Sequence, residues 1–384
     1  MDYKQIYEIT NTITKMVLGD TEVVAEDLSN LVDIGTKVFN SQSLDKYVNA
    51  LVDHVGKMVF DNRIYKMKAP SVLMDSWEYG QILEKVRGEM PEAVENETWE
   101  LEDGKTYDEN IFHKPVISAK FFDKRTTFEV EVSITERQAK GAFSNANQMG
   151  AFISMIYTKV ENALEVRNER LIMSTICASI AETYHAEVGT STPSTTTGVK
   201  AINLLKLYND ETGKSLTFAK ALTDLDFLKY ASFVILLTSD HMTNLSKLFN
   251  VGGTEKFTPK DSQHVVLLSE FAKRADMWLQ SDTWHNELTA LPKSEHVSYW
   301  QGTGTKFDLD SCAKIDVITP SGDKVTIDHC IGCIFDTENL AVTNFNRRVT
   351  SKWNAKAEFT NYFHKVDAGY MIDLDENMVV FYMA

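Results

Sequence analysis

The residues best suited to chemistry in this chain are Cys330 and Cys333, which lie in the run HCIGC. A Cys-x-x-Cys pair can bind zinc, but a structural zinc site needs four ligands, and no second pair stands at a suitable spacing. A redox pair of this kind opens a helix, whereas these residues belong to a strand-like run. We therefore expect two small buried cysteines in a strand.

Three further motifs each match only part of a known ligand-binding loop. TGKS at 212–215 ends like a phosphate-binding loop, but Tyr208 replaces the first glycine and the preceding segment has a helical pattern. GTGT at 302–305 lacks the third glycine of a dinucleotide fingerprint. DLDEN at 373–377 opens like a calcium loop, but Met378 stands where that loop needs glycine. We assign no catalytic, cofactor-binding or metal-binding residues and expect no enzyme.

Composition indicates a soluble globular protein. The chain has 384 residues, 43% of them hydrophobic, and its net charge of −16 disfavours a nucleic-acid binder. The start, MDYKQIYEIT, lacks the pattern of a secretory signal. The longest apolar run, in YASFVILLTSD, is well short of the roughly 20 residues of a membrane helix. Four cysteines are too few for a disulfide framework, so we expect a reduced, cytosolic product without membrane contact.

An acidic segment precedes the body of the chain. Residues 84–109 contain ten acidic and three basic residues, with turn formers at Gly88, Pro91 and Gly104. The pattern predicts short strands and loops. No nearby histidine, arginine cluster or apolar pocket indicates acid–base catalysis, so we expect a solvated surface.

The clearest strand follows, in TTFEVEVSITE. Phe128, Val130, Val132 and Ile134 alternate with polar residues, which is the pattern of a half-buried strand. PVISAKFF, at 115–122, is its expected antiparallel partner.

A long helix is predicted at 148–184, where helical spacing of apolar residues continues without proline. One helix of this length would span roughly 57 Å, and two abutting helices are the alternative. Ala163 is placed on the apolar face and Asn168 off it. The first sixty residues resemble short amphipathic helices.

After a Ser/Thr-rich loop at 189–198, helical and strand-like segments follow one another, which predicts a compact α/β region. Strands are predicted in HVVLLSEF and CIGCIFD, in a hairpin turning at Ser321 and Gly322, and on both sides of a turn at 373–377.

The order of these segments resembles the major capsid proteins of tailed bacteriophages that infect Gram-positive hosts. The resemblance begins near Tyr65 and is carried by WEYGQILEKVRGEMPEAVE, WELEDG, FEVEVSITERQAKGAFSNANQMGAFISMIYTKVENALE, ADMWLQSDTWHNEL, WQGTGTKFD, GCIFDTENLAV and NRRVTSKWNAKAEFTNYFHKVDAGYMIDLDENMVVFYM.

This resemblance implies an α+β chain with the Hong Kong 97 capsid fold. An N-terminal arm would comprise 1–65 and an extended loop 66–114. A peripheral domain with the long spine helix would comprise 115–200 and 341–384, and an axial domain 201–340. In that fold the extended loop reaches over a neighbouring subunit, so the acidic segment would pack on another copy.

The function implied is that of a structural head protein. Hexamers and pentamers would self-assemble into the icosahedral or prolate shell that encloses the phage genome, without sequence-specific DNA binding. The protein would be made in the host cytoplasm and reside in the virion. A separate scaffolding protein, a portal and decoration proteins are the expected partners. An encapsulin-type cellular compartment is the alternative, and a soluble enzyme of unknown class the lesser one.

Overall fold

The computed structural model describes residues 11, 15, 64–66, 68–72, 83–96, 99–107, 109–110, 112–135, 146–189, 192–282, 291–300, 309–357 and 359–384. The GTGT motif and almost all of the predicted N-terminal arm lie outside these residues.

The described elements are helices and strands in mixed order. In chain order they are β1 (Leu83–Gly88), β2 (Ile117–Phe122), β3 (Arg125–Thr135), α1 (Ala146–Val188), β4 (Ala201–Asn203), α2 (Leu204–Thr212), α3 (Phe218–Ala221), α4 (Leu225–His241), β5 (Gln263–Leu268), α5 (Ser269–Asp282), β6 (Glu295–Val297), α6 (Leu309–Cys312), β7 (Ile315–Ile318), β8 (Lys324–Ile327), β9 (Cys330–Asp336), β10 (Leu340–Asn354), β11 (Phe359–Ile372) and β12 (Met378–Tyr382).

The long helix is confirmed as a single element. α1 has 43 residues, or about 65 Å at 1.5 Å per residue, and extends beyond both predicted ends. It ends at Gly189, whose φ of 54° and N–H bond to the His185 carbonyl (2.8 Å) form a left-handed cap. The placement of Asn168 off the apolar face is wrong. Asn168 is buried because it lies four residues from both Leu164 and Ile172, in the same buried row.

The strand prediction at β3 is confirmed, together with its alternation. Phe128, Val130, Val132 and Ile134 are half-buried, and the residues between them are exposed. The predicted partner of this strand is wrong. β3 lies at the edge of a three-stranded sheet in the order β10-β11-β3, while β2 pairs antiparallel with β1. The chain leaves the β1–β2 pair at Lys124, whose carbonyl accepts a hydrogen bond from Tyr370 N–H at 3.1 Å.

A five-stranded sheet forms the main core, in the order β4-β12-β9-β5-β6. Every residue of β9 and β12 is buried, as their continuous apolar sequences require of central strands. Helix α2 packs on β12, α5 packs on β5, and α4 packs on both helices. The largest fully buried side chains are Trp300, Tyr382, Phe227, Phe271, Phe335 and Phe381.

Two predicted turns are confirmed. β7 and β8 pair antiparallel around Gly322, where a φ of 98° favours glycine. β11 and β12 are separated by residues 373–377, the predicted turn.

The chain divides into two compact units, and the domain boundaries predicted above stay a prediction. One unit comprises Met1–Lys66, Val130–Leu164 and Val349–His364. Within it, Tyr157 meets His364 edge to face at 6.0 Å, and Ser133 Oγ donates to Asn361 Oδ1 at 2.6 Å. The other unit comprises Met67–Glu129, Glu165–Arg348 and Lys365–Ala384, and it contains the five-stranded sheet. No helix of the described chain is long and apolar enough to cross a membrane.

Candidate functional site

The two motif cysteines are buried in a strand, as predicted. Cys330 and Cys333 lie in β9 with no exposed surface, and burial raises the pKa of both thiols. The TGKS motif ends helix α2, with Gly213 as a left-handed cap at φ 67° and Lys214 Nζ donating to the Tyr208 hydroxyl at 2.8 Å. Among the described residues, no group of His, Cys, Asp and Glu is arranged to hold a metal ion.

The turn at 373–377 gathers carboxylates, although it lacks the features of a calcium loop. Asn339 Nδ2 donates to the carbonyls of Asp373 (3.2 Å) and Glu376 (3.3 Å), which fixes both ends of the turn. The N–H groups of Val251 and Gly252 both donate to the Leu374 carbonyl at 3.0 Å. These contacts hold the carboxylates of Asp373, Asp375 and Glu376 in one place.

The β1–β2 hairpin presents cations to this turn. In β1, Lys85 and Arg87 point inward while Glu84 and Val86 are exposed, because side chains alternate along a strand. The register places Lys120 of β2 directly opposite Lys85. Three cations therefore share one face of the hairpin.

Hairpin and turn are joined by a network that we call the ion-pair cluster. It contains four cations and four anions: Lys85, Arg87, Lys120, Lys256, Glu338, Asp373, Asp375 and Glu376. Cations and anions are equal in number, so the two most buried members, Asp373 and Glu376, are compensated by opposite charge.

The shortest contacts link each hairpin cation to more than one carboxylate. Lys85 Nζ lies 2.8 Å from Glu376 Oε1 and 3.2 Å from Asp373 Oδ2. Arg87 binds Asp375 Oδ2 and Glu376 Oε1, each at 2.8 Å, and also contacts Asp373. Lys120 Nζ lies 3.0 Å from Asp373 Oδ1 and 2.9 Å from Asp375 Oδ2. Loss of one pair therefore leaves the hairpin attached through the others.

The two most buried carboxylates are kept charged by these partners. The side chains of Asp373 and Glu376 are 0% and 4% exposed. Burial alone would raise the pKa of each carboxyl. For Asp373, the hydrogen bond from Lys120 and the charges of Lys85, Lys120 and Arg87 outweigh burial and lower the pKa. For Glu376, hydrogen bonds and charge from Lys85 and Lys256 have the same effect on its pKa.

Many large hydrophobic residues are exposed on the outer side of the hairpin and in the described part of its connecting segment, residues 89–116. Trp99 is 96% exposed, Phe112 83% and Val94 82%. The other exposed members are Val86, Met90, Leu101, Tyr107, Val116, Ile117 and Phe121. Isolated apolar residues on a surface are ordinary, but a concentration of this kind marks an interaction surface.

Residues 99–107, in the middle of the connecting segment, form a turn. We call it the tip turn. The Lys105 N–H donates to the Glu102 carbonyl at 3.3 Å, and the Glu102 N–H donates to the Tyr107 hydroxyl at 3.2 Å. Gly104 has a φ of 82°, a left-handed conformation that glycine adopts without strain. The turn leaves Trp99 exposed beside three carboxylates.

The long helix, the fully buried central strands and the hairpin belong to a class of protein with the Hong Kong 97-like α+β capsid fold, as the comparison with solved structures shows. The structure is similar to a chain in the capsid structure of Staphylococcus phage Andhra, with a TM-score of 0.52 and 9% identity. That similarity covers 86% of this chain and 87% of the other.

The chain belongs to the Phi29-like phage major capsid protein family, whose model matches residues 10–382. It is also 25% identical over 172 residues to the major capsid protein of Bacillus phage GA-1. That alignment covers 43% of this chain and 34% of the relative, so it spans about a third of the relative's length. The expected resemblance to phage capsid proteins is confirmed, and neither the encapsulin nor the enzyme alternative gains support.

Sequence reasoning missed the ion-pair cluster. The signals were present, as Lys85 and Arg87 stand two residues apart in a strand and DLDEN is dense in carboxylates. Lys85 and Glu376 are 291 positions apart, and only the fold brings them together.

Proposed function

We propose that copies of this chain assemble into the shell of a phage head, and that residues 89–116 of one copy cover a neighbouring copy. The observation that carries the proposal is the exposed apolar surface of the hairpin, led by Trp99, Phe112 and Val94. Burial of each such side chain would contribute roughly 1.5–3 kcal/mol, and this contribution would recur at every subunit contact.

The ion-pair cluster gives this surface a fixed base. A loop that is already held in place loses less conformational entropy when it binds a partner. The hairpin is therefore prepared for contact before another copy arrives, with its charged side on its own chain and its apolar side exposed.

The finer features of the role follow from the same proposal. The protein acts as a structural and non-catalytic subunit, made in the host cytoplasm and incorporated into the virion. Its hexamers and pentamers enclose DNA without reading its sequence. A separate scaffolding protein guides assembly, and portal and decoration proteins complete the head. In this arrangement residues 66–114 act as the extended loop, 201–340 as the axial domain, and 115–200 with 341–384 as the peripheral domain.

Removal of the connecting segment tests the proposal. A deletion of 84–109, the segment first defined by its acidity, would also remove Lys85 and Arg87 and so destroy the ion-pair cluster. Replacement of residues 90–115 by a short Gly-Ser linker keeps β1, β2 and the cluster. We expect this variant to keep the circular dichroism and thermal unfolding of the wild type, because the deleted residues are exposed wherever the structure describes them.

Electron microscopy then distinguishes the outcomes. Closed shells from the wild type and none from the deletion variant would support the proposal. A control variant with Ser215→Ala and Lys220→Ala, at two exposed residues outside the hairpin and its connecting segment, should form closed shells like the wild type. Closed shells from the deletion variant would refute the role assigned to residues 89–116.

A further inference from the structure

A groove with a cationic rim lies between α1, the β7–β8 hairpin and the start of β3. Its volume is about 690 Å³, and its rim carries Lys124, Arg167 and Arg170. We call it the cationic groove. All three side chains are exposed, and within the described chain no ion pair or side-chain hydrogen bond occupies them.

The wall on the β7 side carries Asp316, but this carboxylate already has partners. Asp316 Oδ1 lies 3.6 Å from Lys324 Nζ and accepts a hydrogen bond from Thr326 Oγ1 at 3.3 Å. The groove therefore keeps an excess of positive charge in a chain whose net charge is −16.

The floor of the groove is apolar. Phe128, Leu171, Tyr370 and Ile372 line it and are all half-buried. An occupant that suits this site must combine an aromatic or aliphatic group with several negative charges at close spacing.

We propose that the cationic groove binds the tip turn of a second copy of this chain. This inference rests on the proposed function. The tip turn supplies the required chemistry in WELEDG, where Trp99 is followed by Glu100, Glu102 and Asp103, all exposed. Trp99 covers the apolar floor, while the carboxylates pair with the rim cations. Exposed pairs of this kind set register and partner choice more than raw affinity, and the buried tryptophan supplies most of the affinity.

Duplex DNA suits the same groove less well. Phosphates would satisfy the three cations, but they offer nothing to the half-buried floor. The net charge of −16 also opposes the long-range attraction that dominates DNA binding. DNA is therefore an outcome of the test and not the proposed occupant.

A charge-reversal experiment on the full-length chain tests the proposal. One variant carries Arg167→Glu with Arg170→Glu, and a second carries Glu100→Lys with Glu102→Lys. We expect each to lower the assembled fraction at fixed protein concentration by roughly tenfold or more, since each exchange turns two attractions into repulsions. The combination of all four substitutions restores assembly, because opposite charges face each other again.

The control reverses two exposed cations outside the groove. Lys220→Glu with Lys273→Glu makes the same change in net charge, and we expect normal assembly. Normal shells from the groove variant would refute the groove as the binding site and leave the proposed function intact. An absence of shells from the wild type, even when it is expressed together with its scaffolding protein, would instead refute the proposed function. A groove variant that assembles normally but binds less duplex DNA would reassign the groove to phosphate.

A second measurement, by photo-crosslinking, tests the proposal if the groove variant does not fold. A photo-crosslinking amino acid replaces Trp99 in the otherwise unchanged chain, and isotopically labelled and unlabelled copies are assembled together. Mixed-label crosslinks to residues 124–128, 167–178, 316–320 or 370–372 would support the proposal. Crosslinks confined to other surfaces would overturn it.

Discussion

Asp373 is the residue on which the hairpin attachment depends most. None of its side chain is exposed, yet it lies 3.2 Å from Lys85 Nζ and 3.0 Å from Lys120 Nζ. A buried carboxylate is unfavourable without such partners, and buried cations are equally unfavourable without the carboxylate.

We expect Asp373→Asn to lower the free energy of unfolding by about 3 kcal/mol, because it removes a fully buried carboxylate that Lys85, Arg87 and Lys120 share. Urea denaturation followed by circular dichroism measures the change. The control is Asp226→Asn, which removes an exposed partner 3.3 Å from Lys214 Nζ. Such exposed pairs contribute less than about 1 kcal/mol, and equal losses for the two variants would contradict the assignment.

The lowered pKa values of Asp373 and Glu376 predict a dependence on acid. A carboxyl with a lowered pKa in the folded state stabilises fully above its ordinary pKa of about 4, and this contribution is lost as the pH falls through the lowered value. The stability difference between wild type and Asp373→Asn should therefore shrink as the pH falls below about 4. Denaturation curves at a series of pH values test this, and a difference that grows toward acid would contradict it.

Single residues could be assigned from sequence only where local pattern decides their environment. The cysteines of β9 and the alternating residues of β3 were placed correctly, because a strand period fixes which side chains face inward. Asn168 was misplaced because a polar residue was assumed to lie outside the apolar row, although its spacing of four from Leu164 and Ile172 puts it inside. Contacts such as Lys85 with Glu376 have no local pattern at all.

At the scale of elements, the long helix and most strands could be predicted because each has a continuous pattern of its own. The strand of CIGCIFD and the turn at 373–377 have the predicted bounds. The pairing of strands could not be predicted so well. β2 and β3 are separated by only two residues and are predicted to pair with each other, but β2 pairs with β1, which lies on the far side of residues 89–116.

The continuity of α1 predicts that proline in its middle is harmful even where no packing is lost. Lys159 is exposed, so Lys159→Pro removes little apolar contact. It still removes a backbone hydrogen bond and clashes one turn back, at about 3 kcal/mol or more. Thermal unfolding of Lys159→Pro and of the matched Lys159→Ala separates the backbone effect from the side-chain effect. Equal stability of the two variants would mean that the helix has a break at this point.

At the scale of the whole molecule, the net charge of −16 is the property that bears most directly on DNA binding. Attraction to phosphate dominates non-specific DNA binding, and an acidic chain opposes it. We expect the unassembled protein to bind a duplex weakly at physiological salt, as measured by fluorescence anisotropy with a basic protein of similar mass as the positive control. Tight binding that weakens steeply with added salt would contradict this expectation.

The position of β12 has a consequence for the order in which the chain is made and folded. This strand lies between β4 and β9, and its residue Val380 pairs with Ala201 and with Cys333. When a ribosome has produced β4 and β9, the strand that belongs between them has not yet been synthesised. Until β12 is made, the edges of β4 and β9 that it pairs with have no partner strand. Contacts over such long sequence separations also form slowly. The five-stranded sheet therefore closes late, and until then the open edges of β4 and β9 are exposed to aggregation.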